Sequence, residues 1–255
     1  MRSESIYGVS PSDYQSLLLK LRQATSAMVF SGAGLSAESG IPTFRDDPEG
    51  VWAKLNPAEY ASAKGFRQNK LEVWRWYWDR KETASACEPN AAHLAIARLQ
   101  QALPTFVSTQ NVDGLLSRAG CRDVHEMHGS LFSYKCLACA RPSRDASGYI
   151  RDEVPRCTHC GGPMRPAVVW FYEKLDMPAF SQAERHAAEA DVFFSIGTSG
   201  EVYPAASLPE RAAVFRKTLV LINPVATEHD RLTPYTFRAR AGEFLPRLLA
   251  DAGLT

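Results

Sequence analysis

No sign of charge dominates this sequence: 29 Lys and Arg stand against 28 Asp and Glu, a formal net charge of +1. A chain so balanced has no bulk electrostatic footprint for nucleic acid or an anionic membrane, so no direct nucleic-acid partner is expected and partners must be argued from local sites. Long apolar runs are missing too, since nowhere do the roughly eighteen apolar residues of a membrane span follow one another. Residues 1–9 carry charge and no apolar core of the kind a secretory leader needs, which predicts a cytoplasmic protein with no membrane association. There is no internal repeat and no low-complexity segment, which excludes a solenoid and a disordered tail. Cysteine is sparse, and two of the six, Cys87 and Cys121, stand apart and read as small buried hydrophobes in a reducing compartment.

What is present is a chain of 255 residues, 45% hydrophobic, able to bury one large core or one core with a small lobe beside it. Cys136 and Cys139, then Cys157 and Cys160, form two Cys-x-x-Cys pairs with seventeen residues between them. The thiolates of the two pairs can converge on one ion, and the spacing suits a zinc ribbon in which four sulfurs close a tetrahedron. A closed four-sulfur shell leaves no place for water. The expected zinc is therefore structural, and the chemistry has to lie elsewhere. Reduced or disulfide-paired cysteines are the other reading of the same residues.

Ser10-Pro11-Ser12-Asp13 has the form of a capping box, and Tyr14, Leu17, Leu18 and Leu21 follow at helical spacing, predicting a helix that ends near Thr25. The run Ala27-Met28-Val29-Phe30 is of strand type and feeds into Ser31-Gly32-Ala33-Gly34-Leu35-Ser36-Ala37. That is Gly-x-Gly-x-x-Ala in the strand-to-loop setting of a dinucleotide fingerprint, whose small residues let backbone amides approach a pyrophosphate at a helix start. Gly-rich turns after strands are also common without a ligand. Three more apolar runs end in small or polar residues: 105–108 at Thr109-Gln110-Asn111-Val112-Asp113, 191–196 at Gly197-Thr198-Ser199, and 218–222 at Asn223-Pro224. Helical stretches such as 91–103 and 180–190 separate them. This alternation predicts an α/β fold, a parallel sheet covered on both faces, with ligands at the carboxyl ends of its strands.

Five pieces together resemble the sirtuins, NAD-dependent protein lysine deacylases: Gly32-Ala33-Gly34-Leu35-Ser36-Ala37-Glu38-Ser39-Gly40-Ile41-Pro42-Thr43-Phe44-Arg45-Asp46, Thr109-Gln110-Asn111-Val112-Asp113-Gly114-Leu115, His128-Gly129-Ser130, the cysteine quartet, and Gly197-Thr198-Ser199. The resemblance spans about 21–249. It implies one catalytic domain with a large Rossmann-like lobe at about 8–46, 90–130 and 168–255, a small zinc-ribbon and helical lobe at about 47–89 and 131–167, and a cleft where NAD meets an acylated lysine. It also implies His128 as general base, work that suits a side chain whose ordinary pKa is near neutrality. The glycine after it frees the backbone for a close approach. His125 fails the pattern, because the base stands immediately before Gly-Ser. His93, His159, His186 and His229 read as core or surface histidines. In the implied reaction the acyl oxygen attacks the ribose carbon bearing nicotinamide, which leaves as an uncharged base, and an imidate results. His128 then helps remove a proton from the ribose hydroxyl that attacks the imidate, and water completes release of lysine and O-acyl-ADP-ribose. NAD is consumed rather than used as a hydride carrier.

By the same resemblance Asn111 and Asp113 hold the ribose and the nicotinamide amide, groups that a carboxylate and an amide can serve. Gly32, Ala33, Gly34, Ser36, Ile41, Phe44 and Arg45 line the nicotinamide and phosphate side, although Ile41 and Phe44 taken singly read as core packing. Gly197, Thr198, Ser199, Asn223 and Ala241 surround the adenosine, and Gln110, Val112, Pro224 and Val225 complete the NAD contacts. Tyr77 and Arg80, three apart on a predicted helix, share a face on which a guanidinium and a phenol can receive a carboxylate. With the small Ala61 they are similar to the sirtuin subgroup that removes succinyl, malonyl and glutaryl groups; a solvated helix face is the alternative. Val169, Trp170 and Phe171 resemble the segment that pairs with the substrate backbone, with Tyr172 in place of the usual glycine. Pro224-Val225 follow Asn223 where many members carry an acidic residue, which puts one adenosine-ribose hydrogen bond in doubt. The expected cofactors are NAD and one structural zinc, and the expected partners acyl-lysine proteins or peptides. The other classes to weigh are an ADP-ribosyltransferase or NAD hydrolase of the same fold and a non-catalytic NAD-sensing scaffold.

Overall fold

The computed structural model describes residues 5–43, 56–143 and 145–254; the expected contacts Phe44 and Arg45 lie outside them. The strands are β1 (Ala27–Ser31), β2 (Thr105–Thr109), β3 (His125–Glu126), β4 (Gly129–Cys136), β5 (Met164–Val168), β6 (Val192–Ile196), β7 (Thr218–Ile222) and β8 (Thr236–Phe237). The helices are α1 (Pro11–Gln23), α2 (Pro57–Tyr60), α3 (Ala63–Gln68), α4 (Lys70–Ala86), α5 (Ala91–Ala102), α6 (Leu115–Arg118), α7 (Met177–Glu189), α8 (Ser207–Val214) and α9 (Ala241–Ala252). Six strands form one all-parallel sheet in the order β3-β2-β1-β6-β7-β8.

Every residue of β1 and β6 is buried, as a sheet covered on both faces requires. The strand period of two still sorts the side chains: Ala27 and Val29 join α1, α5 and α9 on one face, while Met28 and Phe30 join α7 and α8 on the other. α1 buries Tyr14, Leu17, Leu18 and Leu21 as the spacing predicts. Its cap is only half of the expected box. Ser10 Oγ accepts from the Asp13 amide at 3.1 Å, but the short Asp13 carboxylate takes the Ser10 hydroxyl at 2.6 Å instead of reaching the Ser10 amide.

A third apolar cluster sits apart from the sheet, where Phe66, Val73, Trp74, Tyr77 and Ala84 pack on Leu131, Tyr134, Met164 and Trp170 of the β4–β5 region. β4 and β5 are antiparallel, with a register shift between Ser130 and Tyr134. Gly129 opens β4 at φ +77, and a Cβ there would penetrate the carbonyl oxygen of Ala167. The glycine after His128 is therefore required by the strand paired with it. No helix among the described residues is long and apolar enough to cross a membrane.

Candidate active site

β1 is followed in the chain by its neighbour on one side, β2, and is flanked on the other by β6, so the strand order reverses between β1 and β6. At such a switch point the loops leaving adjacent strands diverge and open a crevice at the carboxyl edge. Here the two loops are Gly32-Ala33-Gly34 and Gly197-Thr198-Ser199. They press together: the Gly32 amide donates to Ile196 O at 3.0 Å and the Gly34 amide to Gly197 O at 2.8 Å. A Cβ on Gly34 would stand 2.7 Å from Gly197 Cα. These two amides are thus engaged by the end of β6 and the loop that follows it, so they are not among the backbone amides left to meet a pyrophosphate. The segment that follows is also not an α-helix. It forms two 3₁₀ turns, Ala33–Leu35 and Ala37–Ser39, the second ending at Gly40 with φ +88.

Behind the crevice the strand ends are tied into one polar cluster. Asn111 Nδ2 donates to Gly32 O at 3.0 Å and to Ser36 Oγ at 3.1 Å, and Ser36 Oγ donates to Asp113 Oδ2 at 2.8 Å. Asp113 Oδ1 accepts from the Leu115 amide at 2.9 Å. Because Gly32 O can only accept, the Asn111 amide is oriented by it, both its hydrogens are used, and Oδ1 alone remains to accept from a ligand. That narrows the two-way role expected for Asn111. Both Asp113 oxygens serve the chain, and burial pushes its carboxyl above the usual carboxylate range. Asp113 therefore backs the wall rather than facing the crevice. His93 caps α5 behind the same cluster, with Nδ1 accepting from the Asn90 amide at 3.2 Å and Nε2 3.4 Å from Ser36 Oγ. Burial drives the pKa of His93 down to about 4.

His128 projects from the turn between β3 and β4. Its Nδ1 lies 3.2 Å from Gln110 O, and a carbonyl can only accept, so Nδ1 carries the hydrogen and Nε2 keeps its lone pair. Burial lowers the pKa of the ring, partly countered by the Gln110 carbonyl. The carbonyl of His128 accepts from the Val169 amide at 2.8 Å, and the Ala61 carbonyl accepts from the Phe171 amide at 2.9 Å. The 169–171 segment is thus fastened to the histidine at one end and to the C-cap of α2 at the other.

Together these walls enclose a cavity of about 780 Å³. Gly32, Ala33, Gly34, Gln110, Asn111, Val112, His128, Gly197, Thr198, Ser199, Asn223, Pro224, Val225 and Ala241 line it, and so do Ala61, Tyr77, Arg80, Val169, Trp170 and Phe171. Ser36, Ile41 and Asp113 are not in its lining. Gln110 Nε2 and Asn223 Nδ2 both hold Thr198, at Oγ1 and O respectively, each at 3.0 Å. Tyr172, at φ +70 and 93% exposed, stands at the rim. Glu38, Lys174, Tyr203 and Arg240 also line the cavity and had not been singled out in the sequence. Glu38 lies within a recognised motif, but only the folded sheet brings Arg240 to this edge. The cavity can hold an elongated ligand along the loop ends and a second group near Tyr77 and Arg80.

The cysteine quartet closes as expected. The four Sγ atoms all lie within 4.8 Å of one another, with Cys136 to Cys160 at 3.5 Å and Cys139 to Cys157 at 3.8 Å. A tetrahedron with zinc–sulfur bonds of about 2.3 Å has edges of about 3.8 Å, whereas a disulfide would need about 2 Å. The donor set fits one zinc and rules out disulfide pairing.

The Sir2 family profile matches residues 32–204. An NAD-dependent protein deacylase of Methylococcus capsulatus is 44% identical over 241 residues, 91% of this chain and 94% of its own. A solved complex of a Sir2 homologue with NAD aligns at a TM-score of 0.87 and 36% identity, over 94% of this chain and 95% of that one. A solved complex of Sir2 with a p53 peptide and NAD+ aligns at a TM-score of 0.80 and 28% identity, over 94% of this chain and 99% of that one.

Proposed function

The chain belongs to the Sir2 family and is an NAD-dependent protein deacylase, and from that premise we propose that the acyl groups it removes from lysine carry a carboxylate: succinyl, malonyl or glutaryl, with acetyl as the smaller neutral substrate. The observation that carries this reading is that Ala61, Tyr77 and Arg80 line the same cavity as His128 and Asn111. A short side chain at 61 leaves room for a longer acyl arm. Arg80 stays cationic although burial lowers its pKa, and a half-buried guanidinium at the cavity wall favours an incoming carboxylate that can take a forked pair of hydrogen bonds. Its guanidinium lies 4.8 Å from the Trp76 ring centre and 5.7 Å from that of Tyr77, which restricts where it can swing.

On this reading NAD lies along the loop ends at Gly32, Gly197 and Asn223, and the acyl-lysine enters beside 169–171 toward His128. Nε2 of His128 takes the proton from the ribose hydroxyl. Asn111 Oδ1 accepts from the ribose or the nicotinamide amide, held in place by Ser36 and Asp113. The zinc held by Cys136, Cys139, Cys157 and Cys160 fixes the β4–β5 end and takes no part in the chemistry. The proposed partner is an acyl-lysine protein or peptide, in keeping with the p53 peptide bound in a solved Sir2 relative. The separate apolar cluster of the zinc end supports a division into a large lobe and a small one.

The test is a panel of acetyl-, succinyl-, malonyl- and glutaryl-lysine peptides, with and without NAD, read by mass. Arg80→Met should lower succinyl kcat/KM by roughly one to three orders of magnitude more than acetyl kcat/KM, the worth of one or two hydrogen bonds to a charged group. Equal losses on both substrates would leave a general deacetylase.

A further inference from the structure

The Tyr77 hydroxyl is buried inside the cavity wall, and the only partner it has among the described residues is an indole: Trp170 Nε1 donates to Tyr77 Oη at 2.9 Å. An indole N–H can only donate, so the phenol oxygen is the acceptor in this bond and its own hydrogen points elsewhere. A phenolic hydrogen stays near the plane of its ring, where it has two positions on opposite sides of the oxygen. The indole disfavours the position on its own side. We infer that Trp170 is a specificity-determining residue: by donating to Tyr77 it commits the phenolic hydrogen to the cavity, where a carboxylate on the acyl arm can accept it. This rests on the acidic-acyl reading and deepens it, because a neutral acetyl group offers nothing at that position for the hydroxyl to bond.

Two further features support a fixed indole. The Arg165 guanidinium lies 3.2 Å over the Trp170 ring, and Arg165 is itself 1% exposed and paired with Glu173. Glu173 Oε2 in turn accepts from the Trp170 amide at 3.0 Å, so ring and backbone of one residue are gripped by the two members of one ion pair. Burial pushes the Tyr77 phenol up to about 12, so the hydroxyl remains a donor throughout the neutral range.

The experiment is a double-substitution cycle read as the ratio of succinyl to acetyl kcat/KM, with KM and kcat resolved. Trp170→Phe should lower the ratio by roughly three- to tenfold, the worth of one neutral hydrogen bond, and should do so mainly through the KM for the succinyl peptide. In the Tyr77→Phe background the same change should leave the ratio where Tyr77→Phe alone put it. Benzothienylalanine introduced at 170 keeps the bicyclic shape and removes only the N–H, so it should reproduce the effect if Trp170→Phe disturbs folding. An unchanged ratio, or the same factor in both backgrounds, overturns the inference. If Arg80→Met lowers the ratio while Trp170 and Tyr77 act independently, the acidic-acyl reading stands and this inference alone falls. If Arg80→Met also leaves the ratio unchanged, both fall.

Discussion

At the scale of one residue, His128, the proposed base, differs little in its surroundings from a structural histidine. The carbonyl of Gln110 fixes the hydrogen on Nδ1, and burial lowers the pKa below the ordinary 6.5. A base works when unprotonated, so kcat/KM should rise with pH through an inflection below 6.5 and stay flat above it. An inflection above 6.5 in the pH–rate profile would contradict the burial argument. His128→Ala should cost on the order of a hundredfold to ten-thousandfold in turnover while leaving NAD binding measurable by calorimetry; retained turnover would remove the histidine from the mechanism. His93 has the opposite fate, neutral and inside. The unfolded chain gains its proton near 6.5 and the folded chain only near 4, so stability is fully present above 6.5 and is lost as pH falls toward 4. The loss is about 3 kcal/mol, and His93→Gln should flatten that part of the Tm-against-pH curve. The sequence marked His128 by the glycine beside it and the family pattern around it. It left His93 between core and surface, because nothing local says that Ser36 will close on the imidazole that Asn90 holds.

At the scale of elements, the four long parallel strands were legible because each is a continuous apolar run ending in polar residues. β3 and β8 were not, since two residues carry no period. The Gly-rich loop was legible as a loop, but its purpose was not: the close neighbour of Gly34 is Gly197, far away in the chain, and only the pairing of β1 with β6 brings them together. Gly129 shows the same dependence on a paired strand distant in the chain. Gly129→Ala should destabilise the protein by about 1–3 kcal/mol, combining a left-handed backbone with a clash against β5, visible as a lower denaturant midpoint. Glu173→Ala should cost about 3–5 kcal/mol, because it leaves the buried Arg165 guanidinium unpaired. Arg165→Met with Glu173→Ala should recover part of that loss; a double variant no better than the single one would show that the ion pair is not the source.

Across the whole molecule, the zinc end could be read directly from the spacing of four cysteines, whereas the acyl end could not. Ala61 and Tyr77 lie in one apolar cluster and His128 follows another, so their meeting with Arg80 in a single cavity depended on the family resemblance and not on any local pattern. One zinc per chain is expected by elemental analysis, and Cys136→Ser or Cys157→Ser should lose it together with the stability of the β4–β5 end, since structural zinc contributes folding free energy. A metal-free protein with unchanged melting would refute that. The two regions meet along 169–171, and the hydrogen bonding there has a directional consequence. Val169 gives its amide to His128, Phe171 to Ala61, and Trp170 to Glu173. The Trp170 carbonyl is taken by the amide of Glu173. The three amides of the segment are therefore given to the protein, and a peptide laid along it finds carbonyl acceptors, that of Val169 among them, and no backbone donor. It is an edge with one polarity, able to pair only with incoming N–H groups. Methylating backbone nitrogens on either side of the acyl-lysine, one at a time, should thus raise KM at the positions that face this edge and leave the others alone, so that the register of the bound peptide can be read from kinetics.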